Sequence, residues 1–174
     1  MRPAPRIETA RLALRATRAE DLDAHASMLS DPETMRHISG TGLPREDAWR
    51  RLLQGPGLWA MLGYGYWTVT LRDDDTFIGN IGFADFKRDM EPSIEGLPEM
   101  GWLLAPHAQG KGYASEAVAA ALAWADEVLD APEIVAIIAP DNAPSIRVAE
   151  KAGFVRAETT AYKDEPTLIF RRRR

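Results

Sequence analysis

The chain has 174 residues and 45% hydrophobic content, enough to bury one substantial core, and its length is that of a single domain. Its 21 Lys and Arg stand against 26 Asp and Glu, a net charge of −5, which argues against nucleic-acid binding by a general basic surface; the basic end Arg171-Arg172-Arg173-Arg174 is too short to reverse that. Zero cysteines exclude disulfides, thiolate nucleophiles and Cys-ligated zinc. No run approaches membrane-spanning length, and Met1-Arg2-Pro3-Ala4-Pro5-Arg6 leads into no apolar secretory segment, so a soluble cytoplasmic protein is expected, with no membrane partner.

Arg11-Leu12-Ala13-Leu14-Arg15 alternates with period two and predicts a first strand. Thr17-Arg18-Ala19-Glu20 has capping-box spacing and predicts a helix through Leu22, His25, Met28 and Leu29, ended by Asp31-Pro32. Pro44 suits the first turn of a second helix, with Ala48, Trp49, Leu52 and Leu53 on its apolar side and Gly55-Pro56-Gly57 as its stop. Residues 66–71 and 76–83 flank Arg72-Asp73-Asp74-Asp75 in a hairpin pattern. Residues 85–98 are polar, with Pro92, Gly96 and Pro98, and read as a loop before a strand at 99–104.

Gln109-Gly110-Lys111-Gly112-Tyr113-Ala114 follows that strand and opens a helix over 115–129, whose apolar face holds Ala114, Val118, Ala121, Leu122, Ala125 and Leu129. A Gly-rich turn at a helix N-terminus presents unpaired backbone N–H groups and makes an anion site; this one reads as a cradle for a pyrophosphate. Residues 134–139 form a short continuous apolar run, typical of a strand covered on both faces. Asp141-Asn142-Ala143-Pro144-Ser145 supplies cap chemistry for a helix over about residues 144–152, closed by Gly153-Phe154. A last hairpin joins 155–159 to 166–170. The order β-α-α-β-β-β-α-β-α-β-β predicts one mixed sheet covered by helices, an α/β (α+β) fold.

Two familiar phosphate motifs fail on the residues. Counting G-x-G-x-x-G from Gly110 puts Ser115 at the third glycine, and the P-loop's G-K-[ST] meets Gly112 after Lys111. The remaining pattern, Q-x-x-G-x-A at Gln109, Gly112 and Ala114, resembles the pyrophosphate signature of the GNAT acetyltransferase superfamily. Glu99-Met100-Gly101-Trp102-Leu103-Leu104 is similar to that superfamily's fourth strand. The run from Asn142 through Ser145 and Lys151 to Gly153-Phe154 is similar to its N-x-x-S…K-x-G-F segment. Arg11-Leu12-Ala13-Leu14-Arg15-Ala16 with Glu20-Asp21-Leu22 resembles the RimJ/RimL branch, which acetylates ribosomal-protein N-termini. The likeness covers nearly the whole chain, densely over 99–154 and thinly over 31–66.

The resemblance implies a mixed, mostly antiparallel sheet of about seven strands, flanked by about four helices and splayed between its fourth and fifth strands. Acetyl-CoA would lie in that gap and give its acetyl group directly to a primary amine, with no metal. Backbone amides of Gln109, Gly110, Lys111, Gly112, Tyr113 and Ala114 would hold the pyrophosphate, aided by the helix dipole. Lys111 either adds charge there or is solvated, and Ser115 either donates a hydroxyl or is an ordinary first-turn serine. A backbone N–H among Trp102, Leu103 and Leu104 would be the oxyanion donor. The tyrosine that many relatives use as acid is replaced by Ala149, leaving Ser145 as the substitute acid or as a plain capping residue. Asn142 would bond the pantetheine and cap its helix. Glu99 is either the amine's base or a strand-end carboxylate.

His25 falls on or near a buried helix side, His37 in a variable loop and His107 just before the glycine loop; no pair has metal-ligand spacing. Trp59, Tyr64, Tyr66 and Trp67 either wall the acceptor groove or pack in the core. The acceptor is a peptide N-terminus or a small amine such as a polyamine, an amino-sugar antibiotic or an amino acid. If 85–99 borders the groove, its five acids against Lys87 and Arg88, net −3, favour a cationic one. A non-catalytic acyl-CoA-binding module and an ATP-binding protein are the other classes, and the assembly is a monomer or a homodimer.

Overall fold

The period-two and 3.6-residue patterns become eight strands and five α-helices among the described residues, 4–173, of the computed structural model. In chain order they are β1 (Ile7–Glu8), β2 (Leu12–Arg15), α1 (Leu22–Ser30), α2 (Pro32–Met35), α3 (Arg45–Leu62), β3 (Tyr66–Leu71), β4 (Phe77–Ala84), β5 (Glu99–Leu104), α4 (Tyr113–Val128), β6 (Glu133–Ile138), α5 (Ala143–Lys151), β7 (Val155–Tyr162) and β8 (Glu165–Arg173). The strands form one sheet in the order β1-β2-β3-β4-β5-β6-β8-β7, antiparallel throughout except at β5–β6. The unforeseen β1 adds a short edge, so the junction expected between the fourth and fifth strands is β5–β6.

One face of the sheet is covered by α4, which buries Ala117, Val118, Ala121, Leu122 and Ala125; Ala114 and Leu129 are half-buried at the ends of that stripe. Trp124 of α4 meets Trp59 and Trp67 edge-on, with ring centroids 5.3 and 5.1 Å apart, and stacks on Phe83 at 6.2 Å. Such pairs contribute roughly 0.5–1.5 kcal/mol each beyond their buried area. The opposite face is covered by α1 to α3, where Met28, Leu29, Met35 and Ala48 pack with Phe77 and Leu103.

Several expectations are corrected. Gly55-Pro56-Gly57 does not stop the second helix: α3 runs through it to Leu62. Pro56 cannot bond back to the preceding turn. Packing outweighs that loss, because Trp59 is buried and its Nε1–H donates to the Tyr66 carbonyl at 3.0 Å. The predicted Thr17/Glu20 box is replaced by a 3₁₀ turn, Ala19–Asp21. There Asp21, not Glu20, accepts the Arg18 N–H at 2.8 Å, because the same carboxylate also binds the buried Arg15 at 2.8 Å.

The basic end is not a tail. Arg171 pairs with Glu133 at 2.5 Å and Arg172 with Asp126 at 2.7 Å, both within β8. Arg174, like Met1, Arg2 and Pro3, lies outside the described residues. The final hairpin is longer than expected, turning at Lys163 and Asp164, both with positive φ. The close of α5 is as expected: Gly153 N–H bonds the Glu150 carbonyl at 3.1 Å and Phe154 N–H the Ala149 carbonyl at 3.0 Å, with Phe154 buried. No helix among the described residues is long and apolar enough to cross a membrane.

Candidate active site

β5 and β6 are parallel and share the single register pair Glu99–Val135, sealed by Val135 N–H to the Pro98 carbonyl at 3.0 Å. Beyond it the strands diverge. Parallel strands direct their carboxyl ends the same way, so the loop after β5 and the loop after β6 open on one mouth, where α4 and α5 begin. Ladder parity tells which backbone groups face the gap. Ala105 N–H bonds Ile78 of β4 and the Pro98 carbonyl faces β6. By alternation, Leu103 and Gly101 pair with Asn80 and Gly82 of β4, while Trp102 and Leu104 point their N–H and C=O toward the gap. The Leu104 carbonyl is held there by the Gln109 side-chain amide at 3.0 Å.

At the mouth, Gly110 and Gly112 have φ of 73° and 79°, and Gly112 is the N-cap of α4. Left-handed backbone at both turns the chain so that the N–H groups of residues 110–115 meet no acceptor among the described residues. Lys111 is exposed, and the half-buried Ser115 hydroxyl has no partner among the described residues. The loop is pinned from behind by Arg11, whose NH1 donates to the Lys111 carbonyl at 3.0 Å and whose Nε donates to Glu116 at 2.7 Å. Burial would raise the Glu116 carboxyl, but Thr9 and Arg11 hold it below the ordinary range. Sequence reasoning missed Arg11; no local pattern links β2 to a loop a hundred residues on.

Across the mouth, Asn142 caps α5 by accepting the Ser145 N–H at 3.2 Å. The half-buried Ser145 hydroxyl has no partner among the described residues. Ala149 is fully buried in the main core, so that position offers the gap neither a hydroxyl nor surface. His37 reaches Asp141 at 3.2 Å, linking the connection after α2 to this cap.

Glu99 sits at the closed end of the junction, and it is not an exposed strand end: it is 6% exposed. Arg88 binds it in a fork, Nε to Oε2 at 2.6 Å and NH2 to Oε1 at 2.8 Å. Against the cost of burial, that carboxylate holds Arg88 above its ordinary range. The fork fills two of the carboxylate's four lone-pair sites. Elsewhere in the 85–99 segment Lys87 pairs with Asp85 at 2.6 Å and Glu95 at 3.4 Å. The net −3 counted in the sequence already includes Lys87 and Arg88 and therefore remains, with Asp89 and Glu91 outside any ion pair among the described residues.

On the α1–α3 face, Tyr66 extends across β4 toward β5. Gly82 and Gly101 are register partners, and a Cβ on Gly101 would strike the Tyr66 hydroxyl. Burial, then the nearby Glu99, pushes the Tyr66 phenol up, so it stays a donor. Trp59 and Trp67, by contrast, are core residues at 5% and 0% exposure. His25 is buried, with Nδ1 2.8 Å from Asn80 Oδ1, and burial lowers its pKa. His107 lies in the 3₁₀ turn Pro106–Ala108, its Nε2 3.2 Å from the Phe77 carbonyl. Among the described residues no three His, Asp or Glu converge as metal ligands.

An open sheet with one splayed parallel junction and a glycine loop opening a helix at its mouth defines an acetyltransferase architecture. The family model for the Acetyltransferase (GNAT) domain matches residues 11–155. The uncharacterized N-acetyltransferase YnaD of Bacillus subtilis (strain 168) is 34% identical over 150 residues, 86% of this chain and 82% of its own length. A GnaT-family protein from Bordetella pertussis superposes with a TM-score of 0.84 at 28% identity, covering 97% of this chain and 99% of its own. The acetyltransferase of Agrobacterium tumefaciens str. C58 does so at 0.84 and 27%, covering 100% and 97%. RimL, a ribosomal alpha-N-protein acetyltransferase, at 16% identity, and the aminoglycoside acetyltransferase AAC(6')-Ib, at 24%, share the fold alone, with TM-scores of 0.76 and 0.77. The chain belongs to the GNAT acetyltransferase family, and it is an acetyltransferase.

Proposed function

We propose that this protein transfers the acetyl group of acetyl-CoA directly to a primary amine, in the cytoplasm, without a metal. The observation that carries the reading is the divergence of β5 from β6 beyond Glu99–Val135, which aims Trp102 and Leu104 backbone groups into a gap ending at the free N–H groups of residues 110–115. That loop suits a pyrophosphate: donors converge at a helix N-terminus, and nothing lies within 4 Å of a Cβ built on Gly110. Gln109, Lys111, Tyr113, Ala114 and Ser115 complete the cradle, and Asn142 faces the pantetheine.

The amine nitrogen attacks the thioester carbonyl carbon from the α1–α3 face, and the carbon–sulfur bond breaks. Trp102 or Leu104 N–H stabilises charge developing on the carbonyl oxygen; Leu103 N–H is engaged by β4. Ser145 gives the departing sulfur its proton, directly or through water. Glu99 takes the amine proton through a lone pair that Arg88 leaves open.

The acceptor proposed first is a peptide N-terminus; a compact amine is the second reading, favoured by the close approach of the Tyr66 hydroxyl to Gly101, which leaves no room there for a Cβ. Thiol release from acetyl-CoA, followed by mass spectrometry of the acceptor, tests the whole scheme across amines and N-terminal peptides. Acetyl-CoA binding with no amine acetylated anywhere in that panel would leave a binding module instead.

A further inference from the structure

Five arginines among the described residues are not exposed: Arg15, Arg51, Arg88, Arg171 and Arg172. Four of them hold a carboxylate at 2.8 Å or closer: Arg15 with Asp21, Arg88 with Glu99, Arg171 with Glu133, and Arg172 with Asp126. Arg51 holds none, and it has no hydrogen-bond partner among the described residues. The acid one turn before it, Asp47, is committed to Arg50 at 2.6 Å. Burial lowers the Arg51 guanidinium below its ordinary range. Asp47 acts on Arg51 only through space, so a half-buried guanidinium is left with none of its donors bonded among the described residues, an expense that proteins generally avoid.

Its place is specific. Arg51, Gly55 and Trp59 recur every four residues along α3, on the stripe that faces the sheet. Gly55 lies against the Tyr66 backbone and Trp59 donates to the Tyr66 carbonyl, so Arg51 stands one turn further along the same face of the helix. There it is within electrostatic reach of the Tyr66 hydroxyl and of His25, whose buried Nε2 has no partner among the described residues. The Tyr66 hydroxyl in turn lies at Gly101, next in the chain to Trp102, whose backbone faces the gap. Glu99 stands on the same side of β5, two residues before Gly101.

We propose that Arg51 and the Tyr66 hydroxyl form a carboxylate-binding subsite on the acceptor side of β5, so that the amine acetylated here carries a carboxylate. The subsite rests on the acetyltransferase reading above and names its acceptor class. A guanidinium and a phenol are both donors matched to a carboxylate's lone pairs. With Glu99 at one end and Arg51 at the other, a zwitterionic amino compound lies with its nitrogen toward Glu99 and its carboxylate toward Arg51. The carboxylate supplies the directly bonded partner that the chain does not.

The experiment compares matched acceptors with the intact protein: amino acids against their amides, and peptides with an acidic second residue against neutral ones. Steady-state kcat/KM is measured for the wild type, Arg51→Met and Tyr66→Phe, alongside calorimetry with acetyl-CoA and thermal melts. The wild type is expected to favour the acid over its amide by at least about tenfold. Arg51→Met should bring that ratio close to one, and Tyr66→Phe should lower it in part. Acetyl-CoA affinity should stay unchanged and the Arg51→Met melting temperature should be equal or higher. Preference for free amino acids over acidic peptides, or the reverse, identifies which carboxylate source fits. Equal use of acid and amide, an equal loss for both in Arg51→Met, or a lower melting temperature in that variant would overturn the subsite while leaving the acetyltransferase reading intact. If no amine is acetylated, the acetyltransferase reading itself fails.

Discussion

Gly112 offers the most direct perturbation of the proposed cradle, because its backbone is left-handed at φ 79° and ψ 3°. An L-residue held in that region costs about 1–2 kcal/mol. Space is not the obstacle: a Cβ there meets only Arg11 NH2, at 3.5 Å, an ordinary contact. The cost is therefore conformational, and it appears on binding, when the loop must hold its N–H groups on the phosphates. Converted at 1.4 kcal/mol per tenfold, Gly112→Ala should weaken acetyl-CoA about 5–30-fold. Gly112→Val should lose at least about tenfold, since a β-branched residue resists the turn further. Gly112→Asn should lose less than about threefold, because Asn tolerates the left-handed region. Titration calorimetry gives each Kd, and melting curves check that each variant is folded. A folded Gly112→Val that binds as tightly as the wild type, or an Asn variant as weak as the Val one, would refute the cradle.

Ser145→Ala and Glu99→Gln should lower kcat more than acetyl-CoA affinity, by about 10²-fold because water can stand in for either group; full kcat in both across the pH range would mean that neither moves a proton. Asp21→Asn should cost about 3 kcal/mol at pH 7, since it breaks a buried ion pair with Arg15. Burial alone would raise the Asp21 carboxyl, but Arg15, the Arg18 N–H and Thr68 hold it below the ordinary range. Its contribution is thus complete above the unfolded value of about 3.9 and is lost as pH falls through the lower folded value. Urea melts at pH 7 and near pH 3 should show the gap between variant and wild type closing in acid; a constant gap contradicts the assignment. Pro56→Ala should stabilise the protein by about 1–2 kcal/mol, because it restores an N–H donor inside α3; a lower melting temperature would show that the proline ring is needed where it sits.

Much of this molecule was legible before its structure. The alternation around the 72–75 turn specified the β3–β4 hairpin, the glycine loop lay between strand and helix as read, and Gly153-Phe154 closed α5 with the bonds its residues imply. Those features depend on interactions within a few residues, where sequence order and spatial neighbourhood coincide. Gly55-Pro56-Gly57 shows the limit: local propensity said stop, and a tryptophan three residues on, buried against β3, carried the helix through. Glu99 read as either a base or a strand-end acid, and only packing could set Arg88 across it and bury the pair. The residues that could hold acetyl-CoA were thus visible as a pattern, because backbone amides at a helix start need only turn chemistry. The acceptor side was not. Arg51, Tyr66 and Gly101 are far apart along the chain and belong to three elements, and the fold alone brings them to one side of the sheet and leaves the Arg51 guanidinium without a bonded partner among the described residues.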